Sequence, residues 1–139
     1  MGAPAPQLPV ATGEVVAGKY LVERVVGSGG MGVIVAARHL QLDQQVALKF
    51  LHPHVLSSDQ SVARFLREAK STVRLKSDHV ARVYDVDTLP NGAPYAVMEL
   101  LEGVDLATYA RTSGPLRIAD AVEFVVQACE GIVEAHALG

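Results

Sequence analysis

The chain has 139 residues, half of them apolar, with 12 Lys and Arg against 15 Asp and Glu for a formal charge of −3. That is enough for a buried core in the size range of one domain. It supplies no basic stripe, which excludes nucleic acid as the main partner and makes any phosphate site local. One cysteine, Cys129, excludes an internal disulfide and reads as a small packed side chain on a buried helix in a reducing compartment.

Residues 1–13 are rich in Pro and Ala and without period, and are expected to form a flexible leader. They lack the positive start and long apolar stretch of a signal peptide, and Pro6 stands where a myristoylation signal wants Ser or Thr. No run of about eighteen apolar residues occurs, so no membrane segment is expected and the segment is read as cytoplasmic.

Strands are expected over 20–26, 33–38 and 45–50, where β-branched residues alternate around a glycine cluster and a polar turn near Asp43. His52-Pro53-His54 then reads as a solvated loop, since no further Cys or His has metal-ligand spacing. Ser57, Ser58 and Asp59 offer N-cap side chains for a helix with Val62, Phe65, Leu66, Ala69 and Val73 on one face. Two more strands, 80–86 and 95–101, flank the turn Pro90-Asn91-Gly92. A short helix near 105–112 and a long one over about 116–138 close the chain. The long helix is apolar over much of its circumference and expects cover on several sides, from polypeptide beyond Gly139 or from another chain.

The spacing Gly27-x-Gly29-x-x-Gly32 is shared by several phosphate loops and by plain hairpins. A dinucleotide fingerprint should open a helix and lead to an acidic residue for ribose, but a β-type run and Lys49 follow. A Walker-type loop needs Lys and Ser or Thr after its last glycine, and Val33 stands there. What remains is a glycine hairpin between strands, which fits a ligand-free turn as well as a phosphate cradle. Lys49 lies in an otherwise apolar strand, where a lysine can simply reach solvent. Glu68 falls on the flank of the helix's apolar face, toward the seam with the sheet, with Arg64 as its local alternative partner.

Glycine loop, Val46-Ala47-Leu48-Lys49 and helical Glu68, in this order, resemble the protein kinase family, most nearly bacterial serine/threonine kinases of eukaryotic type. The resemblance covers nearly all the chain after the leader. It implies an α+β fold: a kinase-like N-lobe over 14–101, of five antiparallel strands and one helix, then the hinge end and first helices of a truncated C-lobe over 102–139.

The resemblance also implies site roles. Lys49 would contact the α- and β-phosphates of ATP, oriented by an ion pair with Glu68. Val26, Gly27, Ser28, Gly29, Gly30, Met31 and Gly32 would form the lid, with Ile34 and Ala47 over the adenine. Met98 would stand at the back of that pocket, backbone groups of Glu99 and Leu101 would bond the adenine edge, and Asp105 would meet ribose or a basic substrate residue or cap the short helix.

The implied activity is transfer of the ATP γ-phosphoryl group to Ser or Thr hydroxyls of protein substrates. The His-Arg-Asp and Asp-Phe-Gly motifs do not occur in these residues. Mg²⁺ is therefore expected for the complete kinase with its ligands outside the chain, and the isolated chain is expected to be catalytically inactive. The alternative is a non-catalytic nucleotide-binding or protein-interaction fragment. ATP, protein substrates and a completing C-lobe are the expected partners.

Overall fold

The structure is a computed structural model, and it describes residues 8–139. The expected leader lies outside the described residues over 1–7. From Leu8 onward it departs from expectation: Val10 is 4 % exposed and packs in the core, and Gly13 N–H donates to Val22 O at 2.8 Å.

The described residues fall into two compact units, one running to Val73 and including Arg82–Leu100, the other made of Arg74–Ala81 and Leu101–Gly139. The first holds β1 (Val15–Val16), β2 (Tyr20–Ser28), β3 (Gly32–His39), β4 (Gln44–Leu51), α1 (Pro53–Leu56), α2 (Asp59–Val73), β5 (Val83–Thr88) and β6 (Pro94–Met98). They form one antiparallel sheet in the order β1-β2-β3-β4-β6-β5. The sixth strand is β1, joined to β2 by a tight turn in which Ala17 (φ 52°) and Gly18 (φ 65°) are both left-handed, as the twist of a tight hairpin demands.

Strand alternation sorts the side chains onto two faces. Val33, Val35 and Ala37 of β3, Val46, Leu48 and Phe50 of β4, and Tyr95 and Val97 of β6 share one buried cluster with Val10, Val16, Tyr20 and Val22. The intervening residues Ile34, Ala36, Ala47, Lys49, Leu51, Ala96 and Met98 therefore belong to the opposite face. Helix α2 covers one end of that face, with Phe65 and Ala69 packed among Leu51 and Ala96, and Val62 and Leu66 beside them. Ser58 Oγ accepts from Ser61 N–H at its start. Val73, expected on the apolar face, is 46 % exposed because it is the last helical residue.

His52-Pro53-His54 corrects the loop reading. Pro53 opens α1, where its missing N–H is no loss, and His52 is the cap residue, only 5 % exposed.

In the second unit α3 (Leu106–Ser113) and α4 (Ile118–Leu138) follow one another. Residues 74–81 pack on α4: Glu134 accepts Lys76 N–H at 2.8 Å and Ser77 N–H at 2.7 Å, and His79 Nε2 meets Glu130 at 2.8 Å. Gly131 is buried there, and a Cβ on it would come within 2.8 Å of Val80 Cγ2. Ile118, Val122, Val125, Val133 and also Cys129 are exposed, so the cysteine is not the packed side chain expected from its type.

Candidate nucleotide site

The hairpin between β2 and β3 closes through Gly29 N–H to Gly32 O at 2.9 Å. None of its glycines has positive φ, so conformational freedom is not their purpose here. A Cβ on Gly32 would overlap the carbonyl oxygen of Phe50, so close strand approach excludes any side chain. Gly27, Gly29 and Gly30 meet nothing within 4 Å of such a Cβ. Their bareness leaves open space beside the backbone, which is what a phosphate needs in order to reach N–H groups.

Below the hairpin is a groove of about 410 Å³ lined by Gly27, Ser28, Gly29, Gly30, Met31, Gly32, Ile34 and Lys49. This is within the usual span for small-molecule sites. Among the described residues Lys49 is the only charged side chain in that lining. Register explains the gathering: Lys49 lies opposite Ile34 of β3 and Ala96 of β6, and Ala47 opposite Ala36 and Met98, all on one face. Of the residues on this face Ile34 and Lys49 line the groove, whereas Ala47, 4 % exposed, and Ala96, 2 % exposed, are buried and, like Met98, lie outside its lining.

Lys49 Nζ is 3.4 Å from Glu68 Oε1 and 5.9 Å from the centroid of the Phe65 ring. Helix α2 thus reaches the lysine with a carboxylate and, one turn earlier, an aromatic face. Glu68 pairs with Lys49 rather than with Arg64, its local alternative. The lysine side chain is 34 % exposed and the glutamate 60 %, so the pair orients the ammonium more than it stabilises the fold.

The other expected site residues are spread along the chain. Val26 sits at a register shift between Val25 and Gly27, 45 % exposed and outside the groove lining. Glu99 N–H donates to Arg82 O at 2.8 Å, so its backbone donor is already engaged within the first unit. Leu101, 64 % exposed, and Asp105 belong to the second unit. Asp105 caps α3: its carboxylate accepts Thr108 N–H and Oγ1–H, both at 2.8 Å, and the bond from the Thr108 backbone foremost holds its pKa below the usual range.

Two residues at the site carry no functional signal in the sequence. Helical spacing marks Phe65 only as part of the α2 core. The proline beside it marks His52 only as a loop residue, yet its ring reaches Gly29 O at 2.9 Å. Among the described residues no three His, Cys, Asp or Glu side chains converge to hold a metal ion, and no helix is long and apolar enough to cross a membrane.

An antiparallel sheet with one covering helix, a glycine hairpin over a strand lysine and a helix glutamate on that lysine define a kinase-type N-lobe, followed here by the first helices of a C-lobe. The family model for the protein kinase domain matches residues 20–139, and the chain belongs to that family. It is 39 % identical over 127 residues to serine/threonine-protein kinase pkn3 of Myxococcus xanthus, covering 91 % of this chain and 23 % of that protein. Serine/threonine-protein kinase PrkC of Bacillus subtilis is 33 % identical over 124 residues, covering 89 % and 19 %. The crystal structure of the Mycobacterium tuberculosis PknI kinase domain superposes with a TM-score of 0.79 at 27 % identity over 94 % of this chain and 52 % of that one. The chain thus spans less than a quarter of these curated relatives and about half of that kinase domain.

Proposed function

We propose that the chain is the ATP-binding portion of a serine/threonine protein kinase that transfers the γ-phosphoryl group of ATP to protein hydroxyls. The observation that carries this reading is the Lys49–Glu68 pair at 3.4 Å beside the groove under the glycine hairpin. In it the Lys49 ammonium neutralises the α- and β-phosphates, Glu68 holds the ammonium in place, and the loop backbone covers the phosphates. Ile34, Ala47 and Met98 bound the adenine, while the Glu99 carbonyl takes its edge. Mg²⁺ supplies charge neutralisation of the phosphates in such kinases.

The exposed apolar row on α4 is the face we assign to further polypeptide of the kinase domain, of which the chain matches about half in PknI. By this reading the 139 residues alone bind nucleotide without transferring phosphoryl groups. Incubating the gene product that contains this segment with γ-labelled Mg-ATP tests the assignment. Label on Ser or Thr that disappears with Lys49→Ala is expected, and undiminished labelling in that variant would overturn it.

A further inference from the structure

His52 has two attachments to the hairpin above the groove, although it is 23 residues from Gly29 in sequence. Its backbone N–H donates to Met31 O at 3.1 Å, and its ring Nε2 lies 2.9 Å from Gly29 O and 3.4 Å from Ser28 Oγ. A carbonyl oxygen can only accept, so Nε2 carries the proton in this arrangement. That N–H is shared between Gly29 O and, at longer range, the serine oxygen.

The ring is free for this contact because it does no capping. His52 precedes Pro53 with ψ 148°, and its side chain makes no cap hydrogen bond to α1. Proline favours the extended conformation of the residue before it, which here keeps the His52 backbone in line with β4. His52 is 5 % exposed and its ring stacks on His54, with centroids 5.5 Å apart and planes 17° apart, which together restrict its rotamer.

The carbonyls of Gly29 and Met31 are thus both engaged by one residue, and Gly29 N–H is engaged by Gly32 O. Among the described residues the N–H groups of Gly30 and Met31 pair with no other backbone group. The contacts tie down these two carbonyls of the tip and leave the Gly30 and Met31 donors for an anion.

We propose that His52 is a positioning residue that holds the tip of the glycine hairpin, through Gly29 and Met31, in the geometry that receives the nucleotide phosphates. This rests on the ATP-binding reading for its purpose, but the tie itself is testable without nucleotide.

The experiment is amide hydrogen exchange on the full chain without ligand, paired with ATP titration, for the natural protein, His52→Leu and His52→Gln. Leucine fills the buried site without a donor, whereas the glutamine amide can place an N–H near the position of Nε2. In His52→Leu the Gly29 amide, whose own bond to Gly32 O holds only while the tip is closed, is expected to exchange about tenfold faster, the shift in tip opening that loss of one net hydrogen bond at the Gly29 carbonyl supplies, with β4 and α2 protection unchanged. ATP affinity falls by about fivefold, and His52→Gln restores most of both. Unchanged Gly29 exchange in His52→Leu overturns the proposal, as do equal losses in the two variants, which would mark a packing role. If the natural chain fails to bind ATP, the functional reading falls, while the exchange comparison still decides whether His52 ties the hairpin.

Discussion

Gly32 and the carbonyl oxygen of Phe50 are in such close approach that no side chain can stand between β3 and β4 at that point. The same hairpin carries glycines with open space around them, so its glycines divide by purpose. Gly32→Ala must push two backbone segments apart and is expected to lower unfolding free energy by about 2–3 kcal/mol, at the upper end for overpacking. Gly29→Ala is expected to leave stability within about 0.5 kcal/mol and yet weaken ATP binding, because its methyl group enters the open space that the proposed function assigns to phosphate. Denaturant unfolding and nucleotide titration of the two variants separate these effects; equal loss of stability in both would refute the division.

The β1–β2 turn contains a residue poorly suited to it. Ala17 at φ 52° bears the steric penalty of a Cβ in the left-handed region, which Gly escapes and Asn offsets by local hydrogen bonding. Ala17→Asn is expected to add about 0.5–1 kcal/mol of stability, read as a raised urea midpoint with an unchanged slope. A lowered midpoint would show that the turn is not held in this form.

Glu68 is 60 % exposed, so Glu68→Gln is expected to change stability by less than about 1 kcal/mol. Its effect should fall instead on nucleotide affinity, and it should nearly vanish when Lys49 is already Ala, as a double-mutant cycle reads it. Additive effects on affinity would separate the two residues functionally.

Tyr95 is 1 % exposed, its hydroxyl 3.4 Å from Asp87 Oδ2, and burial first, then the Asp87 charge, push its pKa up from 10.0 to about 12. The unfolded chain releases this proton from about pH 10, the folded chain only near pH 12. Stability is therefore expected to decline over that interval as pH rises, since the unfolded state binds fewer protons there. Tyr95→Phe should flatten the decline, as followed by thermal unfolding between about pH 9 and 12; an unchanged slope would remove Tyr95 as its source.

Much of this architecture is written in local pattern. Alternation of Val46, Leu48 and Phe50 with Ala47, Lys49 and Leu51 places the lysine on the face opposite the core, and register with β3 and β6 then surrounds it with Ile34 and Ala96. Helical spacing from Phe65 to Glu68 puts ring and carboxylate at that lysine. Two features escape because their cause is remote. Strand β1 is two residues long and shows only as the Ala-Gly turn between valines and Tyr20, and Val10 is buried by contacts no periodicity announces. His52 looks like punctuation beside proline, and only the return of the glycine hairpin over β4 gives its ring a partner. Exposure of Cys129 is likewise a matter of what covers α4, which residue type does not reveal.

Calorimetric titration of ATP into the 139-residue chain and into its Lys49→Ala variant bears most directly on the reading of the groove as a nucleotide site. Saturable one-site binding by the natural chain is expected, weakened at least about tenfold in the variant, as loss of a charge-assisted phosphate contact requires. Equal affinity in the two chains, or no binding by the natural one, would contradict it.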